Sequence, residues 1–443
     1  MTQNRVMKTS VCILMLLLIL IQSTSLAQTQ TALQVDGAAS VNVSPANIIW
    51  EKTYGGEGDD RALNVIPIQD GFIVVGSTES IITNKTVGWA LRLNSEGNTV
   101  WNKTYLNGAG TELRCAVNLT DGFLLVGNQF SETGDVNGYV AKTDSQGNLI
   151  WQTVLGQEKI DKLFSGAASN DDFVVFGLSY SYGNNQGASW IVKLDEDGQV
   201  LWNKTYNESV ESALRSGIAT KEGSYIAAGY IDPSGEADYD FYFIKVASDG
   251  SLLWNKTYTK IESQKAYSMT TAKDGYVLAG ETVSTQTSTD ALILKVDFEG
   301  NKIWETTIGG PDSDSPSYIT PSQDDGFLVC GFTFSFGAGQ RDFWLIKISA
   351  LGQVEFSATY GTPAFEEAYS VIDTGDGAYV MSGWADPANR PDLIGKALYN
   401  FEIVKLEVAN ANSQPISWFA IYGIVIFAII VAIAILIVKL KKK

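Results

Sequence analysis

The chain has no histidine and only three cysteines, Cys12, Cys115 and Cys330, in 443 residues. The first absence removes the commonest metal ligand and the commonest general base at neutral pH. Most hydrolytic mechanisms are thereby disfavoured. Charged residues are only 18% of the chain and prolines number 10 against 42 glycines, while apolar residues make up 45%. That balance suits short strands and tight turns better than long solvated helices. Arginine is also scarce: between the two end segments it occurs only at Arg61, Arg92, Arg114, Arg215, Arg341 and Arg390.

The charge that is present is mostly negative. The formal net charge is −18, yet Arg5, Lys8, Lys439, Lys441, Lys442 and Lys443 lie in end segments that hold no acid. The body between them carries 25 positive and 49 negative residues, a net of −24. Such a body repels nucleic acid and anionic lipid, so no nucleic-acid partner is expected. Its acidity reads as solubility outside the cell or adaptation to salt.

The two ends read as targeting and anchoring segments. Residues 1–27 combine a basic start, an apolar run from Val11 to Ile21 and a small-x-small site at Ser25-Leu26-Ala27, the pattern of a signal peptide. A linker is expected over 28–46. At the other end Ile416 to Val438 gives 23 residues without a charge, and at about 1.5 Å per residue that is roughly 34 Å of helix, enough to span a bilayer. The lysines of 439–443 place the tail in the cytoplasm, with 409–415 as a short tether outside. The expected location is the cell membrane, crossed once, with the rest of the chain outside.

Between the ends one unit recurs. Tryptophan stands at Trp50, Trp101, Trp151, Trp202, Trp254 and Trp304, with Phe356 in the seventh place, at intervals of 50 to 52 residues. A turn pair such as Asp70-Gly71, Asp121-Gly122 or Asp274-Gly275 recurs in step, and glycine closes the next apolar run at Gly76, Gly127, Gly177, Gly229, Gly280, Gly331 and Gly383. Each unit reads as four strands, a to d, shown in the first copy as 61–68, 72–78, 88–94 and 99–105. Four-stranded units of this length are propeller blades. The last copy lacks strand d, and residues 47–54 have the d pattern with nothing before them. The fold class is therefore all-β: a seven-bladed β-propeller over 47–408, with an N-terminal strand closing the last blade, plus one C-terminal transmembrane helix.

The segments Lys193-Leu-Asp-Glu-Asp-Gly-Gln-Val-Leu-Trp202 and Lys295-Val-Asp-Phe-Glu-Gly-Asn-Lys-Ile-Trp304 resemble the tryptophan-docking hairpin of quinoprotein-like (PQQ-like) β-propeller repeats, of the kind found in archaeal and bacterial cell-surface proteins. The resemblance covers about residues 47–408. It implies a propeller, and for members with a quinone cofactor it implies a dehydrogenase with eight blades, a calcium site and a vicinal cysteine pair. This chain departs from those members in having seven units and no adjacent cysteines. It is closer to the members without cofactor, which act as binding or assembly scaffolds.

Chain direction places the a–b and c–d turns on one face and the variable b–c and d–a loops on the other, the expected binding face. There Trp384, Tyr182 and Phe336 are candidate ligand-binding aromatics, although the two-residue period of Tyr180 and Tyr182, and of Phe332, Phe334 and Phe336, also fits an extended strand b packed between blades. The acidic d–a loops (Glu57, Asp59, Asp60, Glu158, Asp161, Asp312, Asp314, Glu366 and Glu367) read as solvated loop charge. Asp232, Glu236, Asp238 and Asp240 form the one local cluster with the spacing of a calcium site. No other cofactor is expected. Among the Asn-x-Ser/Thr sequons, Asn42, Asn84 and Asn207 fall in loops and are the candidates for glycosylation. Cys115 and Cys330, three blades apart, are expected to be free buried thiols. The function expected is a non-catalytic cell-surface module for an extracellular protein or glycan ligand. The alternatives are a quinoprotein-like or carboxylate-based glycan-active enzyme and an envelope assembly scaffold.

Overall fold

The structure is a computed structural model that describes residues 43–82, 85–169, 172–183, 186–207, 210–260, 262–283, 288–386 and 399–408. The expected signal peptide, the 416–438 span, the basic tail, Asn42 and Asn84 lie outside the described residues. Among those residues no helix is long and apolar enough to cross a membrane.

The described residues form 28 strands in seven four-stranded sheets, each with its strands in the order a-b-c-d. In the first blade the strands are Asp60–Ile68, Gly71–Thr78, Val87–Leu93 and Thr99–Tyr105, within one residue of the sequence reading. Strand a is innermost and lines a central channel. Strands b and c are buried on both faces, which is why they read as near-continuous apolar runs such as Phe72-Ile73-Val74-Val75. Successive side chains serve opposite neighbours: Val74 packs with Phe401 and Ile403 of blade seven, and Ile73 with Leu125 and Tyr139 of blade two. Burying each such side chain contributes on the order of 2 kcal/mol.

The turns follow from their residues. Gly71 has φ 138°, and a Cβ there would lie 2.0 Å from the carbonyl oxygen of Leu93. In blade six the left-handed residue is Asp325 (φ 68°), one position earlier than the glycine of the Asp-Gly pattern. An aspartate tolerates that conformation better than most side chains do. The turn acids also hold the end of strand c. Lys142–Asp121, Lys193–Asp172, Lys295–Asp274, Lys347–Asp324 and Lys405–Asp376 pair at 2.7–3.1 Å in five blades.

The recurring tryptophan belongs to strand d and docks on the next blade. The indole N–H groups of Trp50, Trp151, Trp202 and Trp304 donate to carbonyls of the following c–d turns, at Ser95, Glu196, Ser248 and Ala350, over 2.8–3.2 Å. Their rings lie over the turn glycine, so that a Cβ on Gly198 would stand 2.7 Å from Trp151. Four residues beyond the tryptophan, the hydroxyls of Tyr105, Tyr206 and Tyr258 donate to the carbonyls of Gly147, Gly250 and Gly300, each at 2.7 Å. Phe356 is the exception for a topological reason. It faces blade seven, where the two chain ends replace the c–d turn, and there an indole N–H has no turn carbonyl to meet.

Closure is as the repeat count requires. Strand d of blade seven, Ala46–Tyr54, pairs antiparallel with strand c, Asn400–Val408, from Ala46↔Val408 to Tyr54↔Phe401. The outermost strands keep one free edge, and Lys52, Lys103, Lys204 and Lys256 lie along it, a placement that discourages edge-to-edge pairing. The residue before each tryptophan (Ile49, Val100, Ile150, Leu201, Leu253, Ile303) is 47–55% exposed, and together they form an aliphatic fringe beside the c–d turns.

The ring and the N–H of the docking indole separate experimentally. Trp202→Ala should cost about 3 kcal/mol of unfolding free energy, whereas Trp202→Phe, which keeps the ring over Gly250, should cost about 1 kcal/mol. Urea unfolding of the two variants measures both.

Candidate binding site in the central channel

Every strand a carries one extra residue. Pairing with strand b slips between Ala62 and Asn64 in the first blade, and at the equivalent place in each of the other six. The residues left over are Leu63, Arg114, Phe164, Arg215, Tyr267, Ser317 and Tyr369, and all of them line the channel, whose volume is about 750 Å³. A bulge turns its side chain out of the regular pleat, and here it turns seven toward the axis. The glycine of strand b permits it: a Cβ on Gly76, Gly177 or Gly229 would lie 1.8–1.9 Å from the carbonyl oxygen of the residue two before the bulge.

The channel has two zones. Toward the a–b turns it is walled by Ile66, Pro67, Val117, Ala167, Ile218 and Ile319. Toward the b–c and d–a loops it gathers cations and rings. The Arg215 guanidinium lies 4.1 Å from the Phe164 ring centre and 5.4 Å from that of Tyr267, and Arg114 lies 5.8 Å from Phe164 on its own side. Arg341 sits 3.7 Å from Phe332 and Lys265 3.8 Å from Tyr239. Arg114 is paired with Glu112, and Arg341 with Glu367, both at 2.9 Å. Burial, then Arg114 and Arg215 beside it, push the Lys162 ammonium below its ordinary value against the pull of Glu112. Burial and Arg114 do the same to Arg215.

Of the d–a acids, Glu57, Glu158 and Asp312 are exposed as expected, whereas four others have a different role. Asp60, Asp161, Asp314 and Glu366 are 0–1% exposed. Asp161 accepts hydrogen bonds from Ser179, Ser181 and Gln157, and Asp314 from Thr333, Ser335 and Gly310. Each clamps its d–a loop to the end of strand b. The hydroxyls of Ser179 and Thr333 also accept from the backbone N–H groups two and three residues on, which ends strand b there. Tyr180, Tyr182, Phe334 and Phe336 thus follow the strand instead of extending it, because a side chain has taken the place of the ladder.

The predicted site residues are dispersed. Trp384 is 6% exposed, with its ring centre 4.0 Å from that of Tyr399. Tyr182 packs on Trp190 at 5.8 Å and Phe336 on Trp344 at 6.3 Å, each within its own blade. Asp232 is buried, and its carboxylate takes hydrogen bonds from Ser234, Gly235 and Ala237 of its own loop. Asp240 is buried and bonded by Thr259, while Glu236 and Asp238 are exposed. Asn207 ends strand d of blade three with φ 57°. Cys115 and Cys330 are free, and burial raises both thiols, Cys115 to about 11. Among the described residues no three His, Cys, Asp or Glu side chains are grouped to hold a metal ion.

Sequence reasoning passed over Arg114, Phe164, Arg215, Tyr267 and Tyr369. Counting back from the hairpin turn pairs Leu63 with Gly76, whereas the structure pairs Ala62 with it. A glycine at a fixed place in every strand b was the available sign of a bulge opposite.

Buried carboxyls set the pH response, and burial raises Asp240, Asp342 and Glu367. Burial lifts Glu366 and Glu402 to about 7 each, and burial with Asp314 nearby lifts Asp290 to about 6. A raised carboxyl makes the folded state bind more protons, so its contribution is full below the unfolded value and is lost as pH rises through the folded one. Asp324 and Asp376, held at about 2 by Lys347 and Lys405 against their burial, act in the opposite sense below pH 4. The thermal midpoint should therefore peak near pH 5 and fall toward pH 8, and Glu366→Gln should flatten the fall. Scanning calorimetry across that range measures both.

Comparison with known proteins gives the fold wide company. The chain is similar to the WD40 domain of Neurospora crassa Pan2, at 9% identity and a TM-score of 0.51, over 83% of this chain and 97% of that one. It is also similar to YCF48 bound to a D1 peptide (12%, 0.45, 86% and 100%) and to Sqt1 from Chaetomium thermophilum (10%, 0.40, 83% and 100%). No curated protein sequence matches. Residues 136–335 match the family model described as outer membrane protein assembly factor BamB, and the repeats in that stretch are similar to those of PQQ-like β-propellers.

Proposed function

We propose that this chain is a non-catalytic binding module held at a cell surface by one membrane-spanning helix, with its loop face turned outward to recognise a protein or glycan ligand. The supporting observation is the inequality of the two faces. One repeats the same docked turn around the ring; on the other, the bulges and loops present a different side chain in each blade. A rigid scaffold with one varied face is the arrangement of a recognition protein. The PQQ-like and WD40-type propellers to which it is similar suit a binding or scaffold role.

The orientation rests on the chain ends. Val408 and Ala46 meet at the turn face, beside the exposed aliphatic fringe, so an anchor following residue 408 would leave the loop face outward. Catalysis is disfavoured by the missing histidine and by the d–a carboxylates, which are spent on their own loops.

Glycan and peptide arrays probed with the purified protein, with and without calcium, test this. Selective binding that Phe334→Ala (39% exposed on the loop face) weakens about tenfold is the expected outcome, with no calcium requirement. Binding that survives changes to the loop face but is lost with Leu201→Ser and Leu253→Ser would move the reading to a scaffold that uses its rim.

A further inference from the structure

Arg215 differs from Arg114 and Arg341. Arg114 and Arg341 each hold a carboxylate at 2.9 Å. Arg215 has no carboxylate within ion-pair distance among the described residues, and its Nε–H is buried without an acceptor. Phe164 and Tyr267 cover the guanidinium. Those rings stabilise its charge through their faces but leave its Nε–H unanswered. Packing alone therefore explains where the group lies and not why a donor fork is kept there. Lys162 and Arg114 stand close enough to raise the cost of its charge, in a body whose net charge is −24. A cluster of like charges in an acidic protein is relieved by an anion.

We propose that Arg215, with Lys162 beside it, receives the carboxylate of a small acidic ligand entering the channel from the loop face. This rests on the binding-module reading and gives it a ligand class. A guanidinium placed beside two rings offers a planar fork that matches a carboxylate in two parallel hydrogen bonds. Lys162 adds charge without a fixed direction, and Phe164, Tyr267 and Tyr369 offer apolar walls to the body of the ligand. A channel of about 750 Å³ suits a molecule of one or two sugar rings or amino-acid residues. Acidic sugars and acidic amino acids share this chemistry.

The test titrates the purified full chain with D-galacturonate against D-galactose and with N-acetylglutamate against N-acetylglutamine, by calorimetry. At least one acid should bind while its neutral counterpart does not, and the acid that binds tells sugar from amino acid. Arg215→Gln should weaken it about 10–100-fold, with Arg215→Lys and Lys162→Gln weakening it less. Near-UV circular dichroism checks that each variant is folded. As a readout independent of affinity, reductive methylation of Lys162 should slow when the acid is present. Acid binding undiminished in folded Arg215→Gln overturns the proposal, as does failure of every acid to bind. If the acids fail while an array ligand still binds, the carboxylate site falls and the binding-module reading stands.

Discussion

The docking of one aromatic ring on the next blade's turn is the contact on which the rest of the molecule depends. It joins the outermost strand of one sheet to the c–d turn of the next, so no blade is complete without its neighbour. It explains why the turn residue is glycine, since a side chain there would occupy the ring's place. It also accounts for the one aromatic that is not tryptophan. The seam between the chain ends offers no turn carbonyl, and a phenylalanine fills the same volume without a donor to satisfy. Trp50, Trp151, Trp202 and Trp304 use the indole N–H in this way, that of Trp101 is buried without an acceptor, and at the seam the donor is absent.

A second regularity, inside the first, makes the channel. Each strand b gives up a side chain at its glycine so that strand a can crowd against it, and the displaced residue turns to the axis. The scaffold thus sets seven positions at nearly the same depth with little constraint on what occupies them. Leucine, two arginines, two tyrosines, phenylalanine and serine all occur there. The ring supplies geometry, and the individual residues supply chemistry.

How much of this was legible follows from what repeats. Trp202, Gly250 and the Asp-Gly turns recur in sequence because every blade needs the same joint, and period alone gave the blade count, the strands and the closure by residues 47–54. The channel residues differ from blade to blade and leave no period; only the strand-b glycine hinted at the slip that exposes them. Tyr182 and Phe336 kept a strand-like alternation past the point where a serine or threonine hydroxyl had ended the strand. Asp161 and Asp314 looked like surface charge because burial of a carboxylate inside its own loop depends on hydroxyls 18 to 21 residues away. Trp384 read as a ligand-binding aromatic because Tyr399, on which it packs, lies beyond residues 387–398, which are outside the described set.

The closing pair has a mechanical meaning. Residues 400–408 form an interior strand, bonded on one side to 378–385 and on the other to 46–54. A load applied between the loop face and residue 408 runs largely along these strands. The hydrogen bonds on both flanks then carry it in shear, all at once, and do not yield in succession as those of a peeled edge would. The joint that makes the ring continuous is also where its grip against tension is doubled.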